Sequence, residues 1–304
     1  MEHLLQTRSS ILMEGALGER LKREYHLSLD PDIGMAGLVY EERGRAALMA
    51  LWLEYMAIAE KYRLPLLALT PTRRANRDRL AGAGMDGGVL YDNVRLLKEA
   101  RSRDATDVYC GCLMGCRGDA YTGEGALDQK EAFAFHIWQA ELCAKAGADF
   151  LYAGIMPTLP EAAGMAEAMA ETGIPYIISF TIQKDGRLID GTAIHQAIEA
   201  IDSAVHRKPL CYMANCVHPL IALQALLQPM NCTSLVRERF LGLQANTSPL
   251  SFAQLDGAKE LQCAEPEDFA NDMLRLKREA GIKILGGCCG TDNRHIEAMA
   301  KRMG

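Results

Sequence analysis

From Ser10 to Met303 the chain alternates short apolar runs rich in β-formers with longer stretches of helical periodicity, and this alternation restricts the fold more than any other feature. The runs that read as strands are Ser10–Gly15, Leu64–Thr70, Thr106–Leu113, Asp149–Gly154, Pro175–Thr181, Leu210–Asn215, Phe240–Asn246 and Ile282–Gly287. Helices are predicted over Arg45–Tyr62, Val89–Arg101, Glu131–Ala146, Pro160–Glu171, Thr192–Val205, His218–Leu227, Glu267–Ala280 and His295–Met303. Gly82, Gly84, Gly87 and Gly88 blur the start of the second of these. Gly147, Gly173 and Gly281 sit at helix-to-strand junctions, where a left-handed cap has no room for a Cβ. Strict alternation forces parallel strands with helices outside. Such repetition over 304 residues fits an α/β fold of the (β/α)₈ TIM-barrel type, one domain spanning residues 1–304. A doubly wound sheet is the alternative, but the first strand-to-helix turn lacks the phosphate-cradling Gly-x-Gly-x-x-Gly.

Charge and hydropathy narrow the function classes. With 33 basic and 39 acidic residues the net charge is -6, which offers no basic footprint for nucleic acid or an anionic membrane. No apolar run reaches the roughly 18 residues that cross a bilayer. The segment Met1-Glu2-His3-Leu4-Leu5-Gln6 lacks the pattern of a signal peptide, so a soluble cytoplasmic protein is expected. In that reducing compartment the ten cysteines are not expected to build a disulfide framework.

Active sites of such barrels form at the C-terminal ends of the strands. Strand six ends in Asn215-Cys216-Val217-His218, and strand eight in Gly287-Cys288-Cys289-Gly290. Both place cysteines on the same barrel face, and the glycines flanking Cys288 and Cys289 let two neighbouring thiols turn to one point. Three converging thiolates suit tetrahedral zinc, Zn²⁺, and leave its fourth position open for substrate. Cys110, Cys112 and Cys116 have apolar neighbours and read as small core residues, and Cys143, Cys211, Cys232 and Cys263 as structural thiols. His218 is expected to cap a helix or sit in a loop, and His136 and His195 to be exposed or satisfied in the core. Arg73, Arg74, Arg77 and Arg79 form a basic cluster after strand two, read as a solvated loop face with an anionic substrate as the alternative.

These residues resemble the homocysteine S-methyltransferase family. Gly286-Gly287-Cys288-Cys289-Gly290-Thr291, followed by His295-Ile296, is similar to that family's most specific motif, and Asn215-Cys216 to its upstream zinc-ligand segment. Glu14-Gly15-Ala16-Leu17-Gly18 resembles the opening Asp-Gly-Ala-Met-Gly, and Thr70-Pro71-Thr72 the threonine pair after strand two. Gly118-Asp119-Ala120-Tyr121 resembles a loop after strand three. Ser179-Phe180, Asp185-Gly186-Arg187-Leu188 and Asp190-Gly191-Thr192 resemble the strand-five segment. The resemblance implies a zinc-bound homocysteine thiolate attacking an activated methyl group, with Cys216, Cys288 and Cys289 as ligands. It implies substrate contacts at Glu14, Gly15, Ala16, Thr70, Ser179 and Asn215, with Gly15 and Ala16 offering amides to a carboxylate. Asn246 corresponds to an asparagine that contacts the metal when substrate is absent. The partners implied are a small-molecule thiol and a methyl donor. A chain of this length has no room for cobalamin and folate domains, which favours a sulfonium donor such as S-methylmethionine or S-adenosylmethionine over methylfolate; a corrinoid protein partner is the other route. Two positions depart from the family pattern: Glu14 replaces an aspartate, and Gly154-Ile155 stands where the family carries Glu-Thr to hold the amino group of homocysteine. Glu14 or Glu161 are the carboxylates available to compensate, or the acceptor is a thiol without that ammonium. A hydrolytic zinc site and a non-catalytic zinc-holding relative are the remaining alternatives.

Overall fold

A computed structural model describes residues 1–104, 107–248 and 264–303. Eight strands close into one parallel barrel in sequence order, with the last paired to the first. They are β1 (Ile11–Met13), β2 (Leu66–Leu69), β3 (Val108–Gly115), β4 (Phe150–Met156), β5 (Tyr176–Phe180), β6 (Tyr212–Asn215), β7 (Phe240–Ala245) and β8 (Ile284–Gly287). Around them lie α1 (Glu2–Thr7), α2 (Gly18–Arg23), α3 (Glu42–Lys61), α4 (Arg77–Gly82), α5 (Gly88–Asp104), α6 (Gln129–Lys145) and α7 (Leu159–Glu171). The ring continues with α8 (Ile194–Ala204), α9 (Pro219–Leu226), α10 (Ser234–Arg239), α11 (Pro266–Ala280) and α12 (Asn293–Ala300). No helix among the described residues is long and apolar enough to cross a membrane.

The two-residue period of each strand divides the core. Ile11, Met13, Leu67, Leu69, Phe150, Tyr152, Ile177 and Met213 fill the barrel interior. Their neighbours Leu12, Leu66, Ala68, Leu151, Ala153 and Ile178 pack outwards beneath the helices. Cys110 and Cys112 belong to the outward set, and Cys110, a free buried thiol, is a small core residue as expected. Gly147, Gly173 and Gly281 adopt the left-handed conformation predicted for them, with φ of 82°, 74° and 75°.

Several details differ from the sequence reading. Cys112 on β3 and Cys143 on α6 are joined in a disulfide with Cα atoms 5.9 Å apart. The compartment argument weighed redox conditions, whereas this pairing follows from the outer face of β3 meeting the inner face of α6. Cys232 is exposed rather than structural, and Cys263 lies outside the described residues. Thr106, at the start of the expected third strand, lies outside them too. The helix blurred by glycines is a full element, α5, beginning at Gly88.

Candidate metal centre and substrate cavity

Just past β6, Cys216 adopts a left-handed backbone with φ 57°, a conformation that costs a non-glycine residue about 1 kcal/mol or more. The end of β7 lies between the two cysteine-bearing strands and fixes both. The Cys216 N–H donates to the Gln244 carbonyl at 2.8 Å and the Cys288 N–H to the Ala245 carbonyl at 2.7 Å. The Thr247 N–H donates back to the Cys289 carbonyl at 3.2 Å. Three sulfurs therefore meet: Cys216 to Cys288 at 2.8 Å, Cys216 to Cys289 at 3.4 Å, and Cys288 to Cys289 at 4.0 Å.

A tetrahedral zinc with bonds of about 2.3 Å sets its sulfurs about 3.8 Å apart, so these residues fit the ion after a small opening of the closest pair. The donor set fits as well. Hydrogen bonds with Cys288 and Cys289 hold the Cys216 thiol well below the ordinary thiol range, while the hydrogen bonds Cys288 makes to Cys216 and Cys289, with burial, push it well above. Among the described residues this is the one group of three or more cysteine, histidine or acidic side chains close enough to share an ion.

The sulfurs open onto a cavity of about 510 Å³ lined by Glu14, Gly15, Ala16, Thr70, Asn215, Cys288 and Cys289, among others. Asn215 is held by three bonds: Tyr152 Oη and the Ile155 N–H donate to its Oδ1, and its Nδ2 donates to Gln244 Oε1. Thr70 Oγ1 accepts the Leu113 N–H and shares a 2.7 Å hydrogen bond with Thr72 Oγ1. The Ala16 N–H, expected to receive a substrate carboxylate, already donates to Thr291 Oγ1 at 3.0 Å. Ser179 and Asn246 are not brought to the cavity wall. Ser179 is fully buried within β5, and Asn246 turns back to accept the Ser248 N–H at 3.0 Å. Tyr121, quoted only as part of a loop in the sequence reading, lines the cavity.

The model of the family described as homocysteine S-methyltransferase matches residues 11–303. The chain belongs to the homocysteine S-methyltransferase family. Homocysteine S-methyltransferase YbgG of Bacillus subtilis (strain 168) is 25% identical over 324 residues, covering 99% of this chain and 96% of that protein. The homocysteine S-methyltransferase of Escherichia coli (strain K12) is 26% identical over 190 residues, 61% of this chain and 57% of that protein. In fold, the chain is similar to the metallated crystal form of the homocysteine methyltransferase MmuM from Escherichia coli. The TM-score is 0.78, at 20% identity, over 99% of this chain and 98% of that one.

Within this homocysteine S-methyltransferase fold the departures gain a physical account. A Cβ on Gly154 would lie 2.6 Å from Leu113 Cδ1, so the tip of the Leu113 side chain sits where a side chain at 154 would begin. Glu161 does not replace it. Fully buried under the barrel's helical layer, its carboxylate accepts from the Arg117 N–H and His136 Nε2 on one oxygen and from the Leu127 N–H on the other. Glu14 is the buried carboxylate on the cavity wall; Glu19 and Asp30 reach only its rim. Of the arginine cluster, Arg73 and Arg74 line the cavity, Arg77 is exposed, and Arg79 donates to the Arg117 carbonyl. His218 caps α9 by accepting the Leu220 N–H, as its position before Pro219 suggested.

Burial pushes Glu14 from its ordinary value of 4.5 up to about 8, against the opposing hydrogen bond that Oε2 accepts from the Leu69 N–H. The folded chain therefore holds a proton there that the unfolded chain has lost between pH 4.5 and about 8. Stability contributed by this site falls as pH rises through that window. Glu14→Gln removes the titration, so its unfolding free energy is expected to decline less than the parent's between pH 5 and 8, measured by urea unfolding. A parallel pH dependence in both proteins would show that Glu14 is ionised when folded.

Proposed function

We propose that this chain is a zinc-dependent thiol S-methyltransferase that methylates homocysteine from a sulfonium donor, S-methylmethionine or S-adenosylmethionine. The observation that carries this reading is the meeting of three sulfurs from the ends of β6 and β8, two of them, Cys288 and Cys289, on the cavity wall. Cys216, Cys288 and Cys289 would hold the ion, which supplies the Lewis acidity that makes a bound thiol ionise at neutral pH. Asn215, pinned from three sides, keeps the floor beside the sulfurs in one shape. The acceptor sulfur gains the methyl carbon while the donor's C–S⁺ bond breaks, and a neutral thioether leaves; no general base is needed for an acceptor that arrives ionised. Glu14 would face the acceptor's ammonium, which favours its ionised form despite burial.

A second reading is favoured by Leu113 filling the space beside Gly154: the acceptor is a thiol with no ammonium. Turnover of homocysteine and of 4-mercaptobutanoate, the same thiol without its amino group, separates the two. With zinc-loaded protein and S-methylmethionine, homocysteine is expected to lead in kcat/KM by about tenfold or more, the worth of one charged hydrogen bond. Equal or reversed preference selects the second reading, and zinc-loaded protein that methylates no thiol from either sulfonium overturns the proposal.

A further inference from the structure

We propose that Arg73 is a specificity-determining residue whose guanidinium takes the carboxylate of an amino-acid substrate in the cavity. This rests on the proposed methyl-transfer reading, in which acceptor and donor both carry that group. The turn after β2 holds the arginine in place. Thr72 Oγ1 donates to the Leu113 carbonyl at 2.7 Å, and the Ala75 N–H to the Thr72 carbonyl at 2.9 Å. Between these fixed points stand Arg73 and Arg74, both half-buried and both on the cavity wall. Arg74 is spent on the rim: its Nε and Nη2 donate to the Asp32 and Pro31 carbonyls at 2.9 and 2.8 Å. Arg73 instead lies against the end of β3, where a Cβ on Gly115 would come 2.6 Å from its carbonyl oxygen and 2.7 Å from its Cγ. Glycine at 115 is what leaves room for it. Among the described residues the Arg73 guanidinium makes no hydrogen bond or ion pair.

The surroundings say which group it would take. Gly115 pairs with Gly154 in the β3–β4 register, so Arg73 crosses the wall one strand from the position at which the family carries its glutamate. With glycine at 154, no carboxylate faces the guanidinium from there. The Ala16 N–H, the expected carboxylate donor, is already given to Thr291 Oγ1. Lys22 also lines the cavity, but it stands exposed on α2, where water solvates its charge. A guanidinium offers its N–H groups in a planar fork that matches the two oxygens of a carboxylate, and such charged pairs are stronger than neutral hydrogen bonds. Glu14, on the same cavity, serves the cationic part of a zwitterion. The grip on the amino acid thus moves from its ammonium towards its carboxylate.

The probe is L-methionine, the thioether that homocysteine becomes and that S-methylmethionine leaves as. It is titrated calorimetrically into full-length protein against 3-(methylthio)propylamine, the same molecule without its carboxylate. The parent is expected to bind methionine about 10- to 100-fold more tightly, a comparison that needs no substitution. Arg73→Gln is expected to remove that preference while leaving the affinity for the amine unchanged, and Arg73→Lys, which keeps the charge without the fork, to restore part of it. A purely structural role would weaken both ligands alike. In zinc-loaded turnover, Arg73→Gln is expected to raise one KM by about tenfold with kcat little changed. A rise for homocysteine assigns the carboxylate to the acceptor, and a rise for S-methylmethionine assigns it to the donor. A parent that does not prefer methionine, or a folded Arg73→Gln that keeps the preference, overturns the inference. Loss of the preference in the variant, with a parent that methylates no thiol, leaves the carboxylate site standing and overturns the methyl-transfer reading instead.

Discussion

Cys288→Ala is expected to leave the barrel folded, to abolish stoichiometric zinc retention and to reduce thiol methylation by more than about 100-fold, since even substitutions behind a ligand cost 10–100-fold. The fold does not depend on this side chain: Cys288 lies outside both core clusters, and the backbone bond from its N–H to the Ala245 carbonyl survives truncation. The stability change should stay within about 1 kcal/mol. The catalytic loss has a different origin. A free thiol with a pKa near 8.5 is only about 3% ionised at neutral pH, and two remaining cysteines leave a cation short of a ligand. Metal analysis of the dialysed protein, circular dichroism and a methyl-transfer assay check the three parts. Full zinc retention in the variant would mean that the sulfurs do not share the ion.

Gly290→Ala carries the second large effect, on stability and site together. Gly290 has φ 81°, and a Cβ there would run into Thr247 Oγ1, with Thr247 Cβ at 3.2 Å. The left-handed backbone and the overpacking cost about 1–2 and 1–3 kcal/mol respectively, so a loss of about 2–5 kcal/mol is expected in urea unfolding. Relief by backbone movement would break the Thr247 N–H bond to the Cys289 carbonyl and turn that sulfur from the other two, so zinc affinity should fall with stability. Unchanged midpoint and affinity would show that the Gly290 turn is adaptable.

The barrel was legible because hydrophobic periodicity and left-handed caps are local properties. All eight strand runs are strands, and Gly147, Gly173 and Gly281 are where the chain turns out of its helices. The cysteine trio was legible for a related reason: strand ends have a fixed place in this architecture. What was not legible depends on contacts between elements. The short helix α4 has only six residues, too few to show a period, and is marked instead by Asn76 accepting the Arg79 N–H. The Cys112–Cys143 pairing requires knowing which face of β3 meets α6. Glu161 is, with Glu14, one of two carboxylates the sequence offers in place of the lost one, yet the helical layer consumes both its oxygens. Ser179 and Asn246 matched a family pattern by position, and neither is among the residues lining the cavity. Tyr121 had a signal that was available and unused, the Gly-Asp-Ala-Tyr turn in which Asp119 folds the loop back on itself.

Cys216 follows β6, and the adjacent pair follows β8, which closes the ring by pairing with β1. A nascent chain grown as far as β7 thus owns a single member of the chelating set. Under the proposed zinc site, capture of the ion would belong to the finished molecule, after the final strand has docked. The ion should then leave to a chelator and return without the chain unfolding, so the cell's supply of free zinc, rather than the pace of synthesis, would decide what fraction of the protein is competent.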